Sequence, residues 1–570
     1  MTSVAVAPRP RGSRSPGIVF GALSAVILVL VAALTVTASR NGPPAIAEYA
    51  PQAAQQIKQA PLEQTSNVGG AAGAEGEETT TTTTTAPPPP AAGAGPTTTT
   101  TEPTIERPRV RRCVGNPPRQ TEDPQSPPCV AYWTGDNGGA TYKNVTGDTI
   151  VVAAPAASPR VMADLEAYFN KRYEFYGRKI KLIPATAYDK STCAERRAGA
   201  AADDEQNHIF ASLTSNDGNA GFCYATELAR RKLLAIAADD IEYSEADMVA
   251  MRPYLWQYGM SFDKGLTAIG QMICARLAGK TASHSADPTL SPKKRTYGVV
   301  LQNVIRDTDL SLQPLFDAMA KCGEKIDPRD VFRLSTNDNA GFDHPEAANG
   351  AVVQLKADGI TTVINLGIAF VEHYIAAAAD NQQYFPEWIF TTYGANDLNN
   401  AITAFWPSKT QRQSIMGVNV IPPQRPFTRE PAFEAMKEVD PGLDPGKDYV
   451  DITNFTHYYR SMLLLASGIQ LAGPNLTPAN FERALQAATF PYPKDDPTKS
   501  GRVGFQGDHS MMDDAAEYWW SETATPPFGY QTSGGAGAVC YVNQAQRVTL
   551  GAWPGGGDPF FAAPCYPGPA

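Results

Sequence analysis

Residues 173–185 read YEFYGRKIKLIPA, and within this stretch a helical pattern gives way to a strand. Between Val161 and Tyr173 apolar residues recur every four positions, which is the spacing of one helix face. Gly177 is suited to be the C-terminal cap of this helix, because glycine adopts the left-handed backbone that such caps need. The run KIKLIPA after it is typical of a short buried strand.

A second strand precedes this helix. Residues 149–155, TIVVAAP, form a short β-branched run that proline ends, as expected for a buried parallel strand. Strand, helix and strand together make a βαβ unit with a right-handed crossover. The stretch at 173–185 therefore contains the end of the helix and the second strand of that unit.

Further along the chain the same alternation continues in two successive series. Such a pattern predicts an α/β fold with two doubly wound lobes, in which ligands lie beyond the carboxyl ends of the strands. Further strands are predicted at 208–213, 233–238, 297–302, 361–367 and 387–393, and helices at 193–206, 225–232, 265–279, 311–323, 350–359 and 371–380.

The N-terminus has the pattern of a membrane segment. Residues 18–38 are uncharged and long enough to cross a bilayer, and three arginines precede them. We expect a cytoplasmic tail at 1–16, a transmembrane anchor at 17–39 and the folded part on the extracellular side of the cell membrane. A signal peptide cleaved after Ala47 is the alternative. No cysteine precedes Cys113, so the chain has no lipid-modified cysteine there.

Residues 40–112 are predicted to be a disordered linker. Their centre, residues 79–101, reads TTTTTTTAPPPPAAGAGPTTTTT and has no large apolar side chain to bury. Such a segment cannot offset its ordering entropy and serves as a semi-stiff spacer. A threonine-glycosylated stalk is the alternative to a plain tether.

The eight cysteines predict disulfide bonds. Their number is even, no CxxC spacing suggests a metal site, and an extracellular location favours oxidation. The segment 113–146 is accordingly predicted to be a disulfide-bonded lead-in, and 556–570 a C-terminal tail. Connectivity stays open at this stage, with pairing between sequence neighbours the simplest arrangement: Cys113 with Cys129, Cys193 with Cys223, Cys274 with Cys322, and Cys540 with Cys565.

Charge and motifs argue against two classes of function. The formal net charge is −10, and residues 1–40 carry four arginines and no acid, which leaves −14 on the remainder. An acidic ectodomain does not suit nucleic-acid binding. Neither a GxSxG nor an HExxH motif occurs, and the six histidines lack ligand spacing. We predict no catalysis, no cofactor and no metal.

Two stretches resemble a known family. GDTIVVAAP with YGRKIKLIPA after it is similar to the start of type I periplasmic solute-binding proteins of the branched-chain amino-acid receptor family. FTHYYRSMLLLASGIQLAGPNLTPANFERALQAATF (455–490) resembles that family's long helix and the segment beyond it, and GRVGFQGDH (501–509) resembles the family's next segment. The resemblance implies the type I periplasmic-binding-protein fold, two Rossmann-like lobes joined by three crossings. It places lobe 1 at 147–265 plus 423–500 and lobe 2 at 266–422 plus 501–555.

The resemblance also implies ligand-binding loops. After the third strand, Thr214, Ser215 and the amides near Gly218 and Asn219 would hold a ligand carboxylate, since a small anion needs short donors. An ordinary turn is the alternative for this loop.

Two further loops hold candidates. Ala238, Asp239 and Asp240 come after the fourth strand, where the two acids would favour an amine or cap the next helix. Gln302 and Asn303 end the first strand of lobe 2, where packing is the alternative role.

The loop after the strand EWIFTTY departs from the family. Amino-acid binders place an acid there to pair with the ligand's ammonium, whereas this chain has Thr391, Thr392 and Tyr393, with Asp397 out of register. Tyr393 is the ligand-binding candidate in this loop. A buried ammonium without a partner is costly, so a zwitterionic amino acid is not the expected ligand.

By resemblance, the chain is a membrane-anchored protein that closes on a small organic solute and delivers it to an ABC permease. A sensor or cell-envelope interaction protein with the same fold is the alternative, and the long acidic, threonine-rich tether favours it.

Overall fold

The structure is a computed structural model that describes residues 113–569. The predicted membrane segment and linker lie outside this range. Among the described residues, every helix is too short or too polar to span a bilayer. The described range has gaps at 117, 187–191, 215–220, 239–242, 304, 307, 336–344, 368, 392–398, 491–502, 506 and 527–535.

The elements alternate between strand and helix along most of the chain. The strands are β1 (Cys113–Val114), β2 (Arg119–Gln120), β3 (Thr149–Ala153), β4 (Lys179–Ile183), β5 (Ala211–Thr214), β6 (Leu234–Ala237), β7 (Leu255–Gln257), β8 (Tyr297–Asn303), β9 (Ile326–Ser335), β10 (Thr362–Leu366), β11 (Glu387–Thr391), β12 (Ile415–Asn419), β13 (Asp514–Ser521), β14 (Ala538–Tyr541) and β15 (Arg547–Thr549). The α-helices are α1 (Pro159–Arg172), α2 (Cys193–Glu205), α3 (Gly221–Arg230), α4 (Glu245–Ala250), α5 (Phe262–Met272), α6 (Gln313–Ala320), α7 (Pro345–Ala357), α8 (Ala369–Asn381), α9 (Asn399–Phe405), α10 (Lys409–Arg412), α11 (Pro431–Val439), α12 (Tyr449–Ala472) and α13 (Pro478–Ala487). A π-helical turn (Ile273–Leu277) continues α5, and Phe427–Arg429 and Val542–Ala545 are short 3-10 helices.

The first large sheet is parallel throughout, with strand order β4-β3-β5-β6-β7. Counting its strands along the chain, this is the order 2-1-3-4-5 of a doubly wound sheet. Helices α1, α11 and α12 share one apolar core with this sheet, and α3 packs on the other face. We call this sheet with α1–α4 and α11–α13 the first lobe.

The second large sheet has the order β14-β13-β12-β11-β10-β8-β9, with β15 also paired to β13. Its strands β8 to β12 are parallel and repeat the order 2-1-3-4-5, while β13, β14 and β15 are antiparallel additions. Apolar cores cover both faces. We call this sheet with α5–α10 the second lobe. The predicted α/β class with parallel sheets is confirmed.

The chain passes between the two lobes three times. It leaves the first sheet after β7, returns after β12 to form α11–α13, and leaves again after α13 to form β13. A lobe built from two separate parts of the chain cannot separate from its partner without moving all three crossings. The numerical lobe boundaries given above stay a prediction.

Helix α12 is the central element of the first lobe. Ser461 to Gln470 are all buried, so this part of the helix has no solvent-facing side. A helix buried on all sides is the core of the unit around it. Helix α1 packs beside it and is capped at its N-terminus by Ser158, whose Oγ accepts a hydrogen bond from the Val161 amide at 3.2 Å. Pro159 at the first helical position fits this start.

The prediction for Gly177 is wrong. Helix α1 ends at Arg172, and Tyr173 is already extended. Gly177 lies in the turn before β4 with a left-handed φ of +82°, and a Cβ atom there would be 3.2 Å from the Trp133 ring. Its backbone freedom therefore serves the turn and its packing against the lead-in.

The lead-in is attached to the first lobe through buried polar contacts. The Gln120 side chain donates to the Arg172 carbonyl at 3.0 Å and accepts from Gln470 at 2.9 Å. All eight cysteines form disulfides between sequence neighbours, as the sequence predicted: Cys113–Cys129, Cys193–Cys223, Cys274–Cys322 and Cys540–Cys565.

Candidate functional site

The carboxyl ends of the two parallel sheets lie next to each other. Arg306 comes three residues after the end of β8 in the second lobe. Its side chain contacts Phe222, which lies beyond β5, and Asp247, which lies beyond β6. Segments that extend the carboxyl edges of both sheets therefore meet, and a site at one edge faces a site at the other.

In a doubly wound sheet, ligands bind where the strand order reverses, beyond the carboxyl ends. In the first lobe this switch point lies between β3 and β5, and Thr214 is the last residue of β5. Thr214 is 1% exposed, and its hydroxyl has no hydrogen-bond partner among the described residues. A buried hydroxyl without a partner is rare, because desolvation without compensation destabilises the fold.

Ala238 comes directly after β6 and is buried. Its carbonyl accepts from the Gly259 amide at 2.6 Å, and the Ala237 carbonyl accepts from the Tyr258 amide at 3.0 Å. These bonds place the first crossing beside the carboxyl end of β6. The structure thus puts Thr214 and Ala238 on the same edge, at the ends of adjacent strands.

In the second lobe the switch point lies between β8 and β10. Gln302, near the end of β8, is 1% exposed and paired in register with Leu334. Asn303 is the last residue of β8, in register with Ser335 of the edge strand. Both predicted positions therefore lie at the carboxyl edge of the second sheet, although the side chain of Asn303 is outside the described residues.

The remaining candidates also lie outside the described residues: Ser215, Gly218, Asn219, Asp239, Asp240 and Tyr393. Their roles stay predictions.

A parallel bridge joins the first and third crossings. The Gln257 amide donates to the His509 carbonyl at 2.9 Å, and the Met511 amide donates to the Gln257 carbonyl at 2.9 Å. The His509 ring stacks on Trp256 with centroids 3.7 Å apart, and one ring nitrogen lies 2.8 Å from a Glu482 carboxylate oxygen. These bonds fix two of the crossings to each other and to α13.

Lys264, in the first turn of α5, adds an ion-pair centre to these crossings. Its Nζ lies 2.9 Å from both Asp508 and Asp513. Burial works against the charge, but the two carboxylates hold the pKa of Lys264 above its usual value. Nearby, burial raises the pKa of Glu245, which accepts a hydrogen bond from Ser261. The crossings are therefore joined to each other and to α4 by a network of buried and half-buried polar side chains.

No motif in the sequence marked the contact among Arg306, Asp247 and Phe222. Ser244 and Asp247 have the spacing of a capping box, and the structure shows that box at the start of α4. That local signal explains the orientation of the Asp247 carboxylate. It does not indicate the partner Arg306, which lies 59 residues away in the other lobe.

The fold and site define a two-lobed α/β protein whose sheets face each other by their carboxyl edges. No family model matches this chain, and no curated protein matches it. Solved structures of type I solute-binding proteins are similar to it.

Three of these solved proteins are described with different ligands. A branched-chain amino-acid ABC transporter protein from Thermus thermophilus with bound valine is 12% identical, with a TM-score of 0.48, over 71% of this chain and 97% of that one. A solute-binding protein from R. palustris in complex with 4-hydroxybenzoate is 11% identical, with a TM-score of 0.45, over 71% and 99%. A fatty-acid transporter substrate-binding protein from Thermomonospora curvata is 13% identical, with a TM-score of 0.45, over 73% and 96%. The strand order of the two sheets and the three crossings between them define the fold.

Proposed function

We propose that this chain binds a small organic solute between its two lobes and closes on it. The observation that carries the proposal is the buried Thr214 hydroxyl, which has no partner among the described residues, at the switch point of the first sheet. It lies on an edge that faces the equivalent edge of the second lobe. A ligand that contacts both edges stabilises the closed arrangement by its differential affinity for that state.

Several solute classes fit this proposal. Proteins of similar structure are described with valine, 4-hydroxybenzoate or fatty acid. The missing acid after β11 argues against a zwitterion whose ammonium is buried, and favours a carboxylate without an amine. Thr214 and the neighbouring amides would then receive the carboxylate. We propose binding rather than catalysis for this site.

The setting we propose is extracytoplasmic. Residues 17–39 would anchor the chain as a single-pass helix, 40–112 would act as a spacer, and the lobes would be 147–265 plus 423–500 and 266–422 plus 501–555. Delivery to an ABC permease is the proposed use of the closed form. A sensor with the same closing motion is the second candidate, supported by the length and composition of the tether.

A thermal-shift screen of the purified full-length chain tests solute binding. Free amino acids, aromatic acids and fatty acids are the probes. A true ligand at a hundred times its dissociation constant should stabilise the protein by about 2.7 kcal/mol. A hit among carboxylates without an amine supports the proposal, whereas a panel without any concentration-dependent shift contradicts solute binding.

Protease treatment of intact cells tests the topology separately. If the lobes are outside, protease should cut the linker and release a fragment that contains all four disulfides. Protection of the whole chain in intact cells, with cutting only after lysis, would contradict the extracellular placement.

A further inference from the structure

Arg306 of the second lobe is buried inside a niche of the first lobe. Its side chain is 3% exposed, and its Nη2 lies 2.8 Å from Oδ1 and 2.9 Å from Oδ2 of Asp247. The guanidinium carbon lies 4.2 Å from the centre of the Phe222 ring. One side chain thus forms a charge-assisted bond and a cation–π contact across the lobe boundary.

The niche is oriented by the first lobe itself. The Oδ2 atom of Asp247 accepts from the Ser244 amide at 2.8 Å and from its hydroxyl at 2.7 Å. Phe222 is held in the first turn of α3, next to Cys223, which is disulfide-bonded to Cys193. Because the carboxylate and the ring are fixed before Arg306 arrives, little ordering is required when it binds.

The position of Arg306 is as informative as its contacts. It lies beyond β8, which borders the switch point of the second sheet, whereas its partners lie beyond β5 and β6 of the first. The contact therefore joins the facing edges of the two sheets close to the first crossing, since Glu245, two residues before Asp247, accepts a hydrogen bond from Ser261. An interaction at that place opposes opening of the lobes about the crossings.

We propose that Arg306, Asp247 and Phe222 form a latch that stabilises the closed arrangement of the lobes without solute. Arg306 is a positioning residue, since it acts through the lobe geometry. This inference rests on the proposed closing function and adds that part of the closure free energy comes from the protein's own side chains. The latch then raises the apparent affinity for any solute, because affinity scales with the fraction of binding-competent protein.

Hydrogen–deuterium exchange of the purified full-length chain, without solute, tests the latch. In Arg306→Ala, amides of α4 and of the chain beyond β8 should exchange roughly five- to thirtyfold faster, as expected for the loss of one such interaction. Amides of β3 and β10, in the centres of the sheets, should keep their rates. Arg329→Ala is the matched control, because Arg329 is 68% exposed and its ion pairs with Asp327 and Asp358 stay within its own lobe.

Three further variants separate a latch from a local structural role. Asp247→Asn and the double variant with Arg306→Ala should match Arg306→Ala, because either change breaks the same interaction. Ser244→Ala removes the hydroxyl that caps α4, whereas the backbone amide of residue 244 still donates to the Asp247 carboxylate, so the chain beyond β8 should exchange at the wild-type rate.

The possible results of these experiments are distinct. Unchanged exchange in Arg306→Ala, or faster exchange that extends to β3 and β10, would overturn the latch. If the exchange rates support the latch but no solute binds, the latch stands and the proposed solute-binding function is refuted. Failure of the latch can therefore be distinguished from failure of the proposed function.

Discussion

Asp330 lies on β9 with its carboxyl group buried beside that of Asp358. Burial, and after it the hydrogen bond and charge of Asp358, raises the pKa of Asp330 from 3.8 to about 6. The folded protein therefore holds a proton that the unfolded chain releases near pH 4. The stability that this proton provides is present below pH 4 and is lost as the pH rises to 6.

Asp330→Asn should remove the loss of stability that the wild type shows as the pH rises from 4 to 6. Because the amide cannot ionise, the variant should be more stable than the wild type at pH 7 by about 1–3 kcal/mol. Its urea midpoint should change less between pH 4 and pH 6. Asp327→Asn, at a half-exposed neighbour, is the control. An equal slope for Asp330→Asn and the wild type over this pH range would contradict the assignment.

Thr214 allows a second prediction at the residue scale. Thr214→Val replaces the buried hydroxyl by a methyl group of similar size. The free energy of unfolding of the solute-free protein should therefore rise by about 1 kcal/mol. The same variant should weaken the binding of any solute found in the screen. Thr456→Val, whose hydroxyl donates to the Ile452 carbonyl at 2.9 Å, should instead lose stability. If Thr214→Val is destabilised and binds solute normally, the hydroxyl has a structural partner.

At the scale of elements, α12 and α13 pack through a glycine. A methyl group at Gly468 would overlap the Phe481 ring. Gly468→Ala should therefore destabilise the first lobe by about 1–3 kcal/mol, because the core has no room to adjust. Gly350→Ala in α7 is the matched control, since no described atom lies within 4 Å of the added methyl group. That change should stabilise by roughly 0.5–1 kcal/mol through helix propensity. The urea midpoints of both variants measure these changes in stability. A lower midpoint in both variants would show that the close packing at Gly468 is not the cause.

Elements with strong local patterns could be predicted from the sequence. Strands β3, β4, β6 and β10 are short apolar runs bounded by turn residues, and the predicted bounds agree within about two residues. Strand β9 could not be predicted from the sequence, since Pro328 and several charged residues are atypical of a strand. As the edge strand of the sheet it tolerates both. The predicted end of α1 is wrong because Tyr173, Phe175 and Tyr176 are buried by tertiary contacts that end the helix before Gly177.

At the scale of the whole molecule, the two lobes and the disulfides could be predicted from element order and cysteine count. The latch could not be predicted, because Asp247 and Arg306 meet only through the relative placement of two separately folded sheets. The family resemblance, together with the predicted strands, was enough to place Thr214, Ala238, Gln302 and Asn303 at the carboxyl edges. Their chemistry towards a solute depends on loops that carry no local signal of ligand identity.

A distance measurement between the lobes tests the closing motion most directly. Val249 on α4 and Val353 on α7 are exposed and belong to different lobes. Spin labels on Val249→Cys and Val353→Cys in the full-length chain report the distance between them by pulsed electron resonance. If the lobes close on a solute, a solute identified by thermal shift should change the distance distribution and narrow it to one population. An unchanged distribution at saturating solute would contradict a protein that closes on its ligand.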